Sequence, residues 1–262
     1  MRRGVVALLA ATLVAALAIV GATPPSAAST ASTSSTSTAV EGAGRHANDR
    51  RVIATSVDGR QIVARHYGAL DAPVQIVVLG QMHGSEPGGR DVVAELSTRK
   101  VPQGVGLWLL VTMNPDGDAQ GTRANAHGVD LNRNFPSGWR AAGTRGLYYP
   151  GPRAASEPET RGMVRFLTRV RPAAVLSFHQ AFDLVDISHP RSRQAGRKLA
   201  AWMGERAAVV RCSGPCHGTL TQWVDRELKA IAITVEMDHR VSAAEARRAA
   251  TAVLRLGEWL GG

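Results

Sequence analysis

Val74-Gln75-Ile76-Val77-Val78-Leu79-Gly80-Gln81-Met82-His83-Gly84-Ser85-Glu86 is the stretch that decides the fold. The apolar run that follows Pro73 reads as a strand buried on both faces, the kind found in sheets covered by helices. It stops at Gly80, and a glycine-flanked loop then carries His83 and Glu86. Arg90 to Ser97 can form a helix, and Val105 to Val111 repeats the buried-strand pattern. Strand, helix and strand in succession point to an α/β sheet.

The same alternation extends outward. Upstream, Val52-Ile53-Ala54 and Gln61-Ile62-Val63-Ala64 flank Asp58-Gly59, which predicts two short strands joined by a turn. Met113-Asn114-Pro115-Asp116-Gly117 reads as a turn. Residues 118–158 are rich in Gly, Asn, Arg and Pro and lack periodicity; so long an irregular segment inside a compact domain is a functional one. Glu157 to Arg169 has helical spacing, with Ser156 and Glu159 as an expected capping box. Ala173 to Ser177 is a third strand, delivering Phe178-His179-Gln180. Ser192 to Val209 is expected to be a helix, Ile231 to Val235 a fourth core strand ending in Glu236, and Ser242 to Leu260 a closing amphipathic helix. The expected fold is a single α/β domain with a central, mostly parallel or mixed twisted sheet and helices on both faces.

The chain has 262 residues, 31 basic and 21 acidic, for a net charge of +10. Its composition excludes collagen, coiled coil, a polytopic membrane protein and wholesale disorder. No cluster of basic residues interleaved with aromatics marks a nucleic-acid surface. Arg2-Arg3, the apolar run Val5 to Ala22 and Ser26-Ala27-Ala28 together read as a secretory signal peptide over 1–28. A membrane anchor is the alternative, since about 18 apolar residues can just span a bilayer. Residues 29–44, rich in Ser, Thr and Ala, are expected to be a flexible leader, and 45–262 the folded domain, with no stable membrane insertion once the signal is cleaved. Export would place the protein outside the cell or at the envelope, where the basic excess could meet anionic polymers or, alternatively, be a charged, solvated face of an Arg-biased sequence. An oxidising compartment permits a disulfide between Cys212 and Cys216, which would shape the turn Ser213-Gly214-Pro215. A metal site from these two thiols and His217 is the alternative, but no second pair exists to complete a four-ligand structural zinc.

The unusual polar residues sit at strand ends: His83 and Glu86, Asn114, His179 and Glu236. In open α/β sheets ligands bind at the carboxyl ends of the strands, so separated segments can converge on one cleft. Catalytic zinc is held in some enzymes by two His and one carboxylate, with a position left open. His83, Glu86 and His179 supply that set for one zinc per chain, with Glu236 in reach as a proton carrier. Ser85 lacks the strand–turn–helix context of a nucleophilic serine.

The combination resembles the zinc carboxypeptidases of the carboxypeptidase A superfamily, over roughly 74–260. Three stretches carry the resemblance: Gln81-Met82-His83-Gly84-Ser85-Glu86; Asn114-Pro115-Asp116-Gly117 with Gly121-Thr122-Arg123-Ala124-Asn125-Ala126-His127-Gly128-Val129-Asp130-Leu131-Asn132-Arg133-Asn134-Phe135; and Ser177-Phe178-His179 with Ile233-Thr234-Val235-Glu236. Within the superfamily the chain is most similar to small bacterial members, the murein peptide amidases. The resemblance implies His83, Glu86 and His179 as zinc ligands, Glu236 as general base and acid, Arg123 as the stabiliser of the oxyanion, and Asn132 and Arg133 as the grip on the substrate's terminal carboxylate. It implies hydrolysis of a peptide with a free C-terminus, at a γ-D-glutamyl–diamino-acid bond of a cell-wall peptide.

Digestive members use a late tyrosine on the substrate's terminal region. No tyrosine lies between His179 and Glu236 here; His217 or Thr219 could substitute, or the contact could be absent. Asp183 and Asp186 could pair with a substrate ammonium or, alternatively, cap a turn or solvate a loop. An ordinary carboxypeptidase, a deacylase of N-acyl amino acids and a non-catalytic envelope-binding domain remain as rival functions.

Overall fold

The computed structural model describes residues 49–141, 146–210 and 216–262. The signal peptide expected over 1–28, the leader expected over 29–44 and Cys212 lie outside the described residues; Cys216 is disulfide-bonded.

Among the described residues, eight strands form one mixed sheet. In chain order they are β1 (Asp49–Thr55), β2 (Gln61–Gly68), β3 (Val74–Leu79), β4 (Val105–Leu110), β5 (Ala174–Gln180), β6 (Leu184–Asp186), β7 (Arg206–Ala208) and β8 (Ile231–Met237). Their spatial order is β1-β2-β4-β3-β5-β8-β6-β7. The four central strands β4, β3, β5 and β8 run parallel. β2 joins this block antiparallel at β4, and β6 joins it antiparallel at β8. The helices are α1 (Gly88–Ser97), α2 (Pro115–Gln120), α3 (Pro158–Val170), α4 (Arg193–Met203), α5 (Leu220–Trp223, continued by a π-turn over Val224–Leu228) and α6 (Ala243–Gly261).

Side-chain alternation divides each central strand between two cores. Ile76, Val78, Leu107, Leu109, Leu176 and Ile233 face α1, α4 and α6, meeting Val92, Leu96, Leu199 and Val253. Val77, Leu79, Trp108, Leu110, Val175 and Ala232 face the other side, meeting Met163, Phe166 and Leu167 of α3, Leu220 and Trp223 of α5, and the loop residues Leu131 and Phe135. Burial on both faces is why β3, apart from Gln75, and β4 read as apolar runs without alternation.

The connection from β3 through α1 leads to β4 on one flank of β3. The connection from β4 through α3 leads back to β5 on the other flank. The strand order therefore reverses between β3 and β5, the position where an open α/β sheet leaves a crevice.

Several local expectations are corrected. Met113 to Gly117 is not a bare turn: Asn114 caps the short helix α2, its side chain accepting from Gly117 N at 2.9 Å. The expected helix over Ser192 to Val209 stops at Met203, where Gly204 takes a left-handed conformation, and the chain re-enters the sheet as β7. The Ser156/Glu159 capping box does not form. Pro158, with its fixed φ, occupies the first turn, so Glu157 becomes the cap residue, without a side-chain cap bond. Glu159 instead accepts from Val57 N and Asn125 Nδ2. At α6 a capping box does form, between Ser242 and Glu245.

Candidate metal centre and substrate cleft

The crevice between β3 and β5 is where the predicted ligands meet. His83 and Glu86 come from the loop after β3, and His179 from the penultimate position of β5. All three are buried, and their ligand atoms lie within 4.8 Å of one another. His83 Nδ1 stands 2.8 Å from Glu86 Oε2, His179 Nδ1 stands 3.0 Å from the same oxygen, and the two Nδ1 atoms are 3.2 Å apart. Ligands about 2.0–2.1 Å from a tetrahedral zinc lie roughly 3.3 Å from each other. The donor set and its spacing therefore fit a divalent ion.

The loop reaches this geometry because Gly84 packs onto the first turn of α2. A Cβ on Gly84 would fall 1.9 Å from the Gly117 carbonyl carbon. Gln81 Nε2 donates to Gly84 O and to Asp118 Oδ1, pinning the loop from below.

Both imidazoles turn Nδ1 to the centre because Nε2 is held elsewhere. His83 Nε2 lies 3.1 Å from Asp130 Oδ1, and His179 Nε2 lies 3.0 Å from Ser177 Oγ. Such partners fix ring orientation and, where they are carboxylates, raise ligand basicity. Burial alone would lower the His83 pKa, but the Asp130 and Glu86 carboxylates hold it above its ordinary value. Burial would likewise raise Glu86, yet its hydrogen bonds with His179 and His83 keep it well below the usual carboxylate range. The same balance depresses Asp130, where His83, Arg123 and Arg133 overcome burial.

Arg123 ties the cluster together, donating from Nη1 to Glu86 Oε1 at 2.9 Å and from Nε to Asp130 Oδ2 at 3.0 Å. Of five guanidinium N–H groups, these bonds leave three for a substrate. Arg133 donates from Nη1 to Asn132 O, and its buried Nε has no partner. Asn132 accepts from Leu220 N through Oδ1 at 3.0 Å, which leaves its NH2 end as the donor.

Glu236 is placed by the sheet itself. In the parallel β5–β8 ladder it stands directly opposite His179. Its Oε2 is buried without a hydrogen-bond partner. Burial pushes its carboxyl above the ordinary range; the Glu86 carboxylate adds to that push, while the His179 and His83 rings pull the other way. An unsatisfied buried carboxylate oxygen is costly and is kept where it has a proton or a ligand to meet.

Of the remaining predicted residues, Thr219, Asp186 and Asp183 have structural partners. Thr219 caps α5, accepting from Gln222 N. Its loop lies against the Arg133 region, with Gly218 O accepting from Phe135 N. Among the described residues, His217 makes no hydrogen bond. Asp186 takes the turn-capping alternative, accepting from Ser188 N and Oγ and from Val210 N. Asp183 shares a hydrogen bond with Glu205. Sequence reasoning assigned no role to Asp130 or Ser177. Asp130 was open to discovery as a lone acid in an Asn/Arg-rich run, the kind of residue that backs a ligating histidine.

A sheet crevice holding two imidazoles and a carboxylate beside a second, unpaired carboxylate defines a metallohydrolase, and residues 39–209 match the zinc carboxypeptidase family, M14, to which this chain belongs. Murein peptide amidase A of Escherichia coli K12 is 38% identical over 104 residues, 35% of this chain and 42% of that protein. The human carboxypeptidase N catalytic chain is 30% identical over 158 residues, 44% of this chain and 34% of that one. These matches span less than half the length of either relative. Among solved structures, the murein-tripeptide amidase of Escherichia coli O157 is similar at a TM-score of 0.67 and 27% identity, covering 82% of this chain and 93% of that one. Carboxypeptidase A from Helicoverpa armigera, at 17% identity and a TM-score of 0.67 over 81% of this chain and 68% of that one, shares the fold.

Proposed function

We propose that this protein is an exported zinc-dependent hydrolase that removes a C-terminal residue from a cell-wall peptide, at a γ-D-glutamyl–diamino-acid bond. The observation that carries the reading is the meeting of His83, Glu86 and His179 beside the unpartnered Glu236. The likeness to murein amidases supports the wall peptide over a protein C-terminus. Export rests on the N-terminal apolar run and agrees with the disulfide at Cys216. Among the described residues no helix is long and apolar enough to cross a membrane.

His83, Glu86 and His179 hold the ion, which when bound supplies Lewis acidity and makes water acidic enough to attack at neutral pH. Arg133 and Asn132 take the terminal carboxylate of the substrate; a guanidinium offers it a planar two-point contact. That anchors the scissile carbonyl near the three spare N–H groups of Arg123, which face the oxygen as it gains charge. Glu236 Oε2 accepts the proton of the attacking water and returns it to the departing nitrogen. The acyl part of the substrate has room in a cavity of ≈ 330 Å³ lined by Glu86, Ser85, Gln180, Phe182 and His239.

Metal analysis with a mass-spectrometric assay on defined muropeptides tests this. The zinc-loaded protein should release the diamino acid. Glu236→Gln should retain zinc and lose about 10²–10⁴-fold in kcat. Cleavage confined to L-peptides with free C-termini would remove the wall-peptide assignment, and an active Glu236→Gln would remove the proton carrier. Appearance of the protein only in the cytoplasmic fraction would refute export.

A further inference from the structure

Tyr148 belongs to none of the groups assigned so far, yet its ring stands before both substrate-directed cations. Arg123 Cζ is 5.3 Å and Arg133 Cζ 5.2 Å from the ring centroid. Both distances fall inside the cation–π range of about 6 Å. The tyrosine stays 40% exposed, so a large aromatic is held at the mouth of the cleft instead of in either core.

The backbone that carries it is fastened to the site. Tyr149 N donates to Gly146 O at 3.0 Å, and Tyr149 O accepts from Asp130 N at 2.8 Å. Pro150 O accepts from Asn134 Nδ2 at 2.8 Å and from Trp139 Nε1 at 3.1 Å. Asp130 and Asn134 are the residues that bracket Asn132 and Arg133, so the segment carrying the ring is tied to the segment carrying the two donors. Arg133 has a buried Nε with no partner, and a second guanidinium shares its aromatic neighbour. Arg123 already has Glu86 and Asp130 as partners, so the unpartnered Nε of Arg133 is the donor left for an anion.

We propose that Tyr148 is a positioning residue: its ring walls the carboxylate site and holds the Arg133 guanidinium facing the C-terminal carboxylate of the substrate, while Arg123, held by Glu86 and Asp130, keeps to the scissile carbonyl. This rests on the function proposed above, in which Arg133 and Asn132 receive that carboxylate. A long arginine side chain loses rotamer freedom when it grips a ligand; a ring against Arg133 fixes it beforehand.

Tyr148→Ala and Tyr148→Phe would be compared with the zinc-loaded wild type on a wall peptide with a free C-terminal carboxylate and on the same peptide ending in a carboxamide. Binding of the released diamino acid would be measured by calorimetry. Tyr148→Ala should raise KM for the free-carboxylate peptide about tenfold, equivalent to about 1.4 kcal/mol, leave kcat nearly unchanged and weaken diamino-acid binding by a similar factor. The carboxamide peptide should not respond, and Tyr148→Phe should behave as wild type because it keeps the ring. Unchanged KM and product binding in Tyr148→Ala would overturn the proposal. So would a fall in KM, which would mean the ring competes with substrate, or a Phe variant as impaired as the Ala variant. Failure of the wild type to cleave either peptide would strike the function; a calorimetric difference that persisted in that case would still uphold the wall.

Discussion

Asp130→Asn probes the centre without touching a ligand. Asp130 is fully buried, with Oδ1 3.1 Å from His83 Nε2 and Oδ2 3.0 Å from Arg123 Nε. Its Oδ1 also accepts from Asn132 N at 2.9 Å, capping the turn that presents Arg133. Asparagine keeps the shape, caps equally well and still offers His83 an oxygen. It removes the negative charge behind the ring and turns an NH2 toward the Arg123 N–H, donor against donor. Losing the carboxylate behind a ligating histidine costs about 10–100-fold in metal affinity, or about 1.4–2.8 kcal/mol. Losing one charged hydrogen bond to Arg123 adds about 1.5–3 kcal/mol to the cost of holding that side chain in place. The zinc Kd, measured by chelator competition at pH 8, should therefore rise about 10–100-fold, and kcat/KM should stay reduced when zinc is saturating. A zinc Kd within about threefold of wild type, well below the effect of such partners, would refute the idea that Asp130 tunes His83.

Arg123→Ala, assayed with saturating zinc, should lower kcat by about 10²–10³-fold, as losing an oxyanion donor does; a change confined to KM would contradict that role. Gly84→Ala drives a methyl into the Gly117 carbonyl carbon, so it should cost about 1–3 kcal/mol and loosen zinc, both seen in thermal melts with and without metal; a wild-type Tm would refute the close approach. Burial and the hydrogen bond with Asp183 push Glu205 up to about 7. A carboxyl whose folded pKa lies above its unfolded value of about 4.3 holds its proton more tightly in the fold, so its contribution is complete below that value and drains away as pH rises through 7. Glu205→Gln should therefore gain Tm relative to wild type between pH 5 and about 8, and parallel pH profiles for the two proteins would disprove the coupling.

The centre of the sheet was legible because physics leaves marks there. Two-sided burial made β3, apart from Gln75, and β4 largely apolar runs, and the ligands sit where β3 and β5 end. β6 and β7, at three residues each, are too short to display alternation. The π-turn after α5 depends on Leu220, Trp223 and Val224 filling the core beneath Phe135, a tertiary demand that no local pattern announces. Asp130 and Tyr148 were hidden for the same reason. Their partners are His83, 47 residues away, and two arginines whose side chains converge only after the irregular segment has folded.

The ladder between β5 and β8 has a consequence for how the molecule can change. Its main-chain bonds fix His179 and Glu236 in the most protected layer, the part that opens last in hydrogen exchange. Phe182 hangs from the surface loops, which have nothing comparable behind them. Substitutions that redraw which peptide enters can accumulate in those loops while the reacting atoms keep their separation, so the chain's repertoire is free to drift under an unaltered reaction.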